Sequence, residues 1–272
     1  MSTPLGETGL APLRGRTDQR AVRLSLRSAL ALTVVAVAGL AAFTWPLVVR
    51  PEATLAGSTQ APLVLALLLP VVTALALVEL TGEGMDVKAL AMLGVLSAIG
   101  AVLRPLGAGI AGLETVFFLL VLGGRVFGPG FGFVLGTTTL FSSALLTGGV
   151  GPWLPFQMIA AGFVGLGAGL LPRCRGRLEI VLLALYGVVS AFLYGMLMDL
   201  SFWPFSLGGD TQASYSPELG WWENLQRFWV FNLATAMGWN TGRALTNLVL
   251  IALTGPAILA ILRRAARRAQ FV

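Results

Sequence analysis

Two ionisable side chains stand in apolar sequence where chemistry or recognition could be placed. Glu114 follows Gly109-Ile-Ala-Gly-Leu113, and Arg243 follows Trp239-Asn-Thr-Gly242. A charge in apolar surroundings is costly unless it is paired or hydrated. If the two segments are neighbours, these groups meet, and they either lock the segments together or offer hydrogen bonds to a ligand. Polar side chains also occur sparsely among aromatic ones: Gln157, Asn232, Asn240 and Thr241 near Trp153, Phe156, Trp229 and Trp239. Pockets for small organic molecules have this composition, mostly apolar and aromatic with a few placed polar groups. The candidate binding set is therefore Glu114, Trp153, Phe156, Gln157, Trp229, Asn232, Trp239, Asn240 and Arg243. Glu79 and Asp199 end apolar runs, where solvation accounts for them.

Other chemistries lack their residues. The chain has no histidine, which removes the usual general base and the commonest metal ligand. Its one cysteine, Cys174, leaves no intramolecular disulfide. The P-loop pattern G-x-x-x-x-G-K-[ST] does not occur, and Lys88 is the only lysine. Gly165-Leu-Gly-Ala-Gly169 lies inside an apolar run with no preceding strand, so it reads as a helix-packing surface. No carboxylate cluster or Ser–His or Cys–His set is present. No catalytic residue, metal site or cofactor is expected, and no row of acids suggests an ion-coupled pump.

The elements that would position these groups follow from composition. Of 272 residues 56% are hydrophobic and 11% charged, with a mean hydropathy of +0.85. Soluble domains carry about 25% charged residues. The chain reads as an all-α polytopic membrane protein. A β-barrel is excluded because ten-residue alternating strands are missing. Eight spanning helices are expected, at about 28–49, 61–80, 88–103, 109–124, 129–146, 155–171, 178–198 and 241–262, with a short helical candidate at 225–239. A basic tail (1–27), two N-terminal helices (28–87), a six-helix core (88–268) and a short end (269–272) make up the organisation. The first apolar run lacks a cleavage site and reads as a retained helix. Small residues recur at Gly128, Gly132 and Gly136, and again at Ala161, Gly165 and Gly169, the spacing that lets helices approach closely in lipid. The Gly-, Pro- and aromatic-rich turn 147–156 reads as a cap over a cavity or as an ordinary tight turn.

The positive-inside rule puts both termini in the cytoplasm of a multi-pass plasma-membrane protein, with fourteen of the 18 basic residues inside. Topology thus explains the net charge of +6 without nucleic acid. All seven tryptophans then fall toward the outside. They form either an anchoring belt or the wall of a site that opens outward.

The block GGRVFGPGFGFVLG (123–136) followed by GPWLPFQMIAAGFVGLGAGLLP (151–172) resembles the substrate-binding S component of energy-coupling factor (ECF) vitamin transporters. The stretch NLATAMGWNTGRALTNLVLIALTGPAILAILRRAARR (232–268) is similar to the last helix of actinobacterial members. The resemblance covers about 88–268 and implies a six-helix receptor that captures a vitamin or related micronutrient from outside. A transmembrane coupling protein and two cytoplasmic ATPase subunits would drive uptake. An A-x-x-x-A motif on the first core helix contacts the coupling protein in that family. Here the matching positions are the relaxed pairs Gly94/Ala98 and Ser97/Ala101. The long stretch 199–224 implies a bulky, cobalamin-related ligand, with thiamin-, riboflavin- or biotin-like ligands as alternatives. A stand-alone secondary transporter, or an integral membrane enzyme, is the competing reading of the whole chain.

Overall fold

The computed structural model describes residues 25–48, 60–82, 85, 87–107, 110–207 and 211–269. Every regular element among them is helical: α1 (Leu26–Val48), α2 (Gln60–Gly82), α3 (Val87–Leu103), α4 (Phe117–Phe127), α5 (Pro129–Thr147), α6 (Leu154–Leu170), α7 (Arg177–Ser206), α8 (Trp221–Thr235) and α9 (Met237–Ala269). A 3-10 turn, Arg104–Gly107, extends α3. Helices α1, α5, α7 and α9, together with α3 and its 3-10 turn, are each long and apolar enough to cross a membrane. This is the expected all-α, polytopic architecture.

Helix boundaries depart from expectation in three places. The segment expected to span 109–124 contains only the 11-residue α4, about 16 Å of helix at 1.5 Å per residue. Ala111 (φ 40°) and Gly112 (φ 78°) adopt left-handed backbone, which breaks the helix before Glu114. Irregular backbone at membrane depth persists only where protein or a cavity surrounds it. Here the Leu113 amide donates to Ile110 O, and Thr115 Oγ1 donates to Leu103 O at 2.6 Å. Secondly, α7 continues through 199–206, which was expected to be loop. Thirdly, α8 ends at Thr235 and α9 begins at Met237, so Trp239-Asn-Thr-Gly242 lies within a continuous helix.

The centre of the bundle is a seam of backbone on backbone. A Cβ at Gly132 would meet Gly165 O, one at Gly165 would meet Gly132 O, and one at Gly136 would meet Ala161 O. Gly124 on α4 also abuts Gly165 O, so α4, α5 and α6 are drawn together at one point. Lipid gives helices no hydrophobic reason to associate, so such close approach supplies the packing. Gly128, expected on the same face, joins α4 to α5 with φ 103°, and its backbone meets Gly169 of α6, so it too lies at the seam. Around the seam, Leu120, Phe131, Phe133, Ile159, Leu183 and Ile251 are fully buried. Ser97 on α3 hydrogen-bonds Thr138 on α5 at 2.7 Å. Asn247 Nδ2 on α9 donates to Gly187 O on α7 at 3.0 Å. Helix α1 lies against α6 and α7, with Phe43 edge-on to Phe156 at 5.5 Å, and α2 packs beside it.

At Gly165 even one added methyl strikes backbone, whereas at Gly94 nothing lies within 4 Å. Gly165→Ala is expected to lower stability by about 1–3 kcal/mol, while Gly94→Ala leaves it unchanged or slightly higher. Thermal unfolding of both purified variants in one detergent checks the contrast.

Candidate functional site

Ionic groups gather at the two ends of the bundle. At one end Glu179, buried in the first turn of α7, takes Arg125 Nε at 2.7 Å and Arg263 Nη2 at 2.6 Å. Its position at a helix N-terminus adds a favourable dipole interaction. Arg125 also donates to the carbonyls of Leu171, Pro172 and Cys174, closing the C-terminal end of α6. This end carries Lys88, Arg173, Arg175, Arg177 and the arginines of the α9 terminus.

The other end holds a second cluster around Arg243 on α9. The short α4 leaves room for the irregular segment 110–116 to enter the bundle and deliver Glu114. Gly112 and Gly242 make this possible: a Cβ at Gly112 would meet Trp239 O, and one at Gly242 would meet Ala111 O. Arg243 Nη2 then lies 2.6 Å from Glu114 Oε1. Its Nη1 donates to Asn240 Oδ1 at 2.8 Å and to Ala191 O on α7 at 3.2 Å. The guanidinium sits 4.9 Å from the Tyr194 ring centroid and 5.6 Å from that of Phe117. The two segments are neighbours, and the two charges pair.

Beside this pair lies a cavity of about 290 Å³, walled by Gly195, Met198 and Asp199 of α7, Thr235 and Ala236 at the α8–α9 corner, and Trp239, Asn240 and Arg243 of α9. Gly195 is required because a Cβ there would strike Asn240 Oδ1. Asp199 was expected to be merely solvated; it is instead half-buried in the wall and accepts from Asn232 Nδ2 at 2.7 Å. The structure thus brings Glu114, Asn232, Trp239, Asn240 and Arg243 together, with Asp199 added. Asp199 was passed over because a carboxylate ending an apolar run looks the same whether it meets water or another helix.

Four residues of the candidate set lie elsewhere. Phe156 is buried edge-on to Phe43 and Phe202. Gln157 Oε1 accepts from Arg104 Nη2 at 3.1 Å. Trp153 is exposed over Gly151, and Trp229 is exposed beside Phe228. Of the seven tryptophans only Trp239 lines the cavity; Trp45 and Trp203 are core residues, and Trp221 and Trp222 face outward. Turn 147–156 contributes no residue to the cavity wall, and Gly148 makes it with φ 65°. Loop 211–220 is pinned by Trp203 Nε1 donating to Ala213 O at 2.7 Å and by Asn224 pairing with the backbone of Ser216. On α3, Gly94 and Ala98 face outward, whereas Ser97 and Ala101 are buried in the bundle. Among the described residues no three or more His, Cys, Asp or Glu side chains form a metal-binding group.

Residues 88–262, well over half of the chain, match the family model described as "ECF transporter, substrate-specific component". No curated protein and no solved structure matches the chain.

Removing Glu114 leaves the Arg243 charge without its carboxylate. Glu114→Gln is expected to lower stability by about 1–3 kcal/mol, less than the 3–5 kcal/mol of a fully buried pair, since Glu114 keeps 27% of its side-chain surface exposed. Glu114→Leu combined with Arg243→Met is expected to recover most of that loss. Unfolding of Glu114→Leu, Arg243→Met and their combination, read as a double-mutant cycle, with Glu114→Gln measured beside it, checks it.

Proposed function

Because the chain belongs to the family of ECF transporter substrate-specific components, we propose that it is the receptor subunit of a micronutrient importer, loading from outside the cell. That family consists of transporter components, not enzymes. The observation that carries the finer reading is the cavity between α7, the α8–α9 corner and Trp239, at the end of the bundle opposite the arginines. The positive-inside rule turns the arginine end toward the cytoplasm and the cavity toward the exterior. Both termini are then cytoplasmic, and the membrane is the plasma membrane.

In this reading Trp239, Asn240 and Asp199 contact the ligand. Glu114, Arg243 and Asn232 hold those contacts in place. Trp153, Gln157 and Trp229 lie outside the cavity wall, and Phe156 packs in the core between Phe43 and Phe202. A volume of about 290 Å³ lies at the low end of the ~300–1,000 Å³ of ligand pockets. That favours a one- or two-ring vitamin-like molecule over the bulky cobalamin-related ligand that 199–224 had implied. The stretch has a different use: part of it lengthens α7, and part packs onto Trp203 and Asn224.

A receptor without a P-loop relies on others for energy, so a transmembrane coupling protein and two ATPase subunits are the proposed partners. Their contact falls on the outward face of α3, where Gly94 and Ala98 leave the backbone accessible between Ala91, Val95 and Val102. Ser97 and Ala101 drop out of that surface because they pack inward. Helices α1 and α2 cover the α6–α7 side, which leaves α3 as the open flank.

The test is purification of the tagged chain from its own cells in mild detergent, with native mass spectrometry of what accompanies it. A coupling protein, ATPases and a small bound molecule are expected. Replacing Gly94 and Ala98 together by leucine should release the protein partners and retain the small molecule. Uptake by this chain alone, driven by an ion gradient, would refute the proposal in favour of a secondary transporter.

A further inference from the structure

Resting on that reading of the cavity, we infer that its ligand is a small ring-bearing cation, with a protonated or quaternary nitrogen seated between the Asp199 carboxylate and the face of Trp239. The argument begins with which charges are already used. Both terminal nitrogens of Arg243 are engaged: Nη2 is on Glu114, Nη1 is on Asn240 and Ala191, and the rings of Tyr194 and Phe117 flank the guanidinium. Its Nε has no hydrogen-bond partner but is buried away from solvent, so no open fork faces an anionic ligand in the cavity. Asp199 is in the opposite condition. Its Oδ2 accepts a hydrogen bond from the neutral Asn232 amide, and Oδ1 has no hydrogen-bond partner. Among the described residues no cation lies within ion-pair distance of it. With Glu114 and Arg243 cancelling, the wall carries one carboxylate in excess. A negative ligand would meet that charge, and a positive one would neutralise it.

Two neighbours complete the match. The Trp239 side chain lines the cavity, is 48% exposed and stacks on no other described aromatic ring, so it is available to a cation, an attraction worth about 0.5–2 kcal/mol. Asn240 is 3% exposed, its Oδ1 is held by Arg243, and its Nδ2 makes no hydrogen bond. A donor left open in a cavity wall is available to an acceptor on the occupant. Met198 and Ala236 supply apolar surface between these polar points. The chemistry recognised is thus a cationic nitrogen and a hydrogen-bond acceptor carried on one compact ring system.

Isothermal titration calorimetry of the purified full chain with three single-ring probes tests this: benzyltrimethylammonium, benzyl alcohol and benzoate. The cation is expected to bind at least about tenfold more tightly than the alcohol, and benzoate not at all. Asp199→Asn, nearly isosteric, should bring the cation down to the level of the alcohol, and Trp239→Ala should weaken both. If Asp199→Asn does not melt like the parent protein, the ranking of the three probes on the parent decides alone. Benzoate or benzyl alcohol equalling the cation overturns the inference, as does cation binding indifferent to Asp199→Asn. If Trp239→Ala weakens benzoate binding in that case, the cavity remains a ligand site and only the cationic class falls. Failure of all three probes to bind in a Trp239-dependent way overturns the inference and the proposed site together.

Discussion

A buried guanidinium must be given partners, and the half of this molecule around Arg243 is arranged to do so. Arg243 cannot be left bare in apolar surroundings. Supplying its carboxylate requires chain that no regular helix would bring there. The break at Ala111 and Gly112, the truncation of α4 and the close backbone approach of Gly112 to Trp239 and of Gly242 to Ala111 all follow from that need. Because Arg243 also holds Asn240 and reaches the Ala191 carbonyl, one side chain sets the spacing of α7 and α9 along the cavity wall. In the proposed receptor, recognition by the neighbouring residues depends on a pair that need never touch the ligand.

The second ionic cluster balances the first. From Glu179 to Asp199 on α7, and from Arg263 back to Arg243 on α9, is 20 residues, about 30 Å of helix. That matches the hydrocarbon thickness of a bilayer. On α7 and α9 charged groups are thus confined to two levels one membrane apart, with only uncharged residues packing between them. The arrangement fixes how far α7 and α9 can slide along the membrane normal, since either displacement would carry a satisfied charge into lipid.

Much of this was legible in the chain. Composition set the class, and the glycine spacing of Gly132, Gly136, Gly165 and Gly169 marked the α5–α6 seam correctly, because small residues in lipid have few other uses. Glu114 and Arg243 stood out because charges in apolar runs are rare enough to be informative individually. What could not be read was depth and direction. Periodicity does not distinguish a full span from an 11-residue helix capped by irregular chain. Nor does it reveal that Asp199 turns toward Asn232, or that Phe156 and Gln157 point to α1 and Arg104 in place of the cavity. Those depend on which helices neighbour one another, and the pattern within a single segment carries no such information.

The seam between α4, α5 and α6 has a mechanical consequence. Contacts between backbone atoms have no rotamers to exchange, so that half of the bundle is stiff. The half formed by α7, α8 and α9 meets mainly through side chains, and a single residue, Ala236, separates its last two helices. Compliance is therefore unequal across the molecule. Any change of shape on loading or release falls on the side that contains the cavity, with the seam acting as the fixed frame against which it moves.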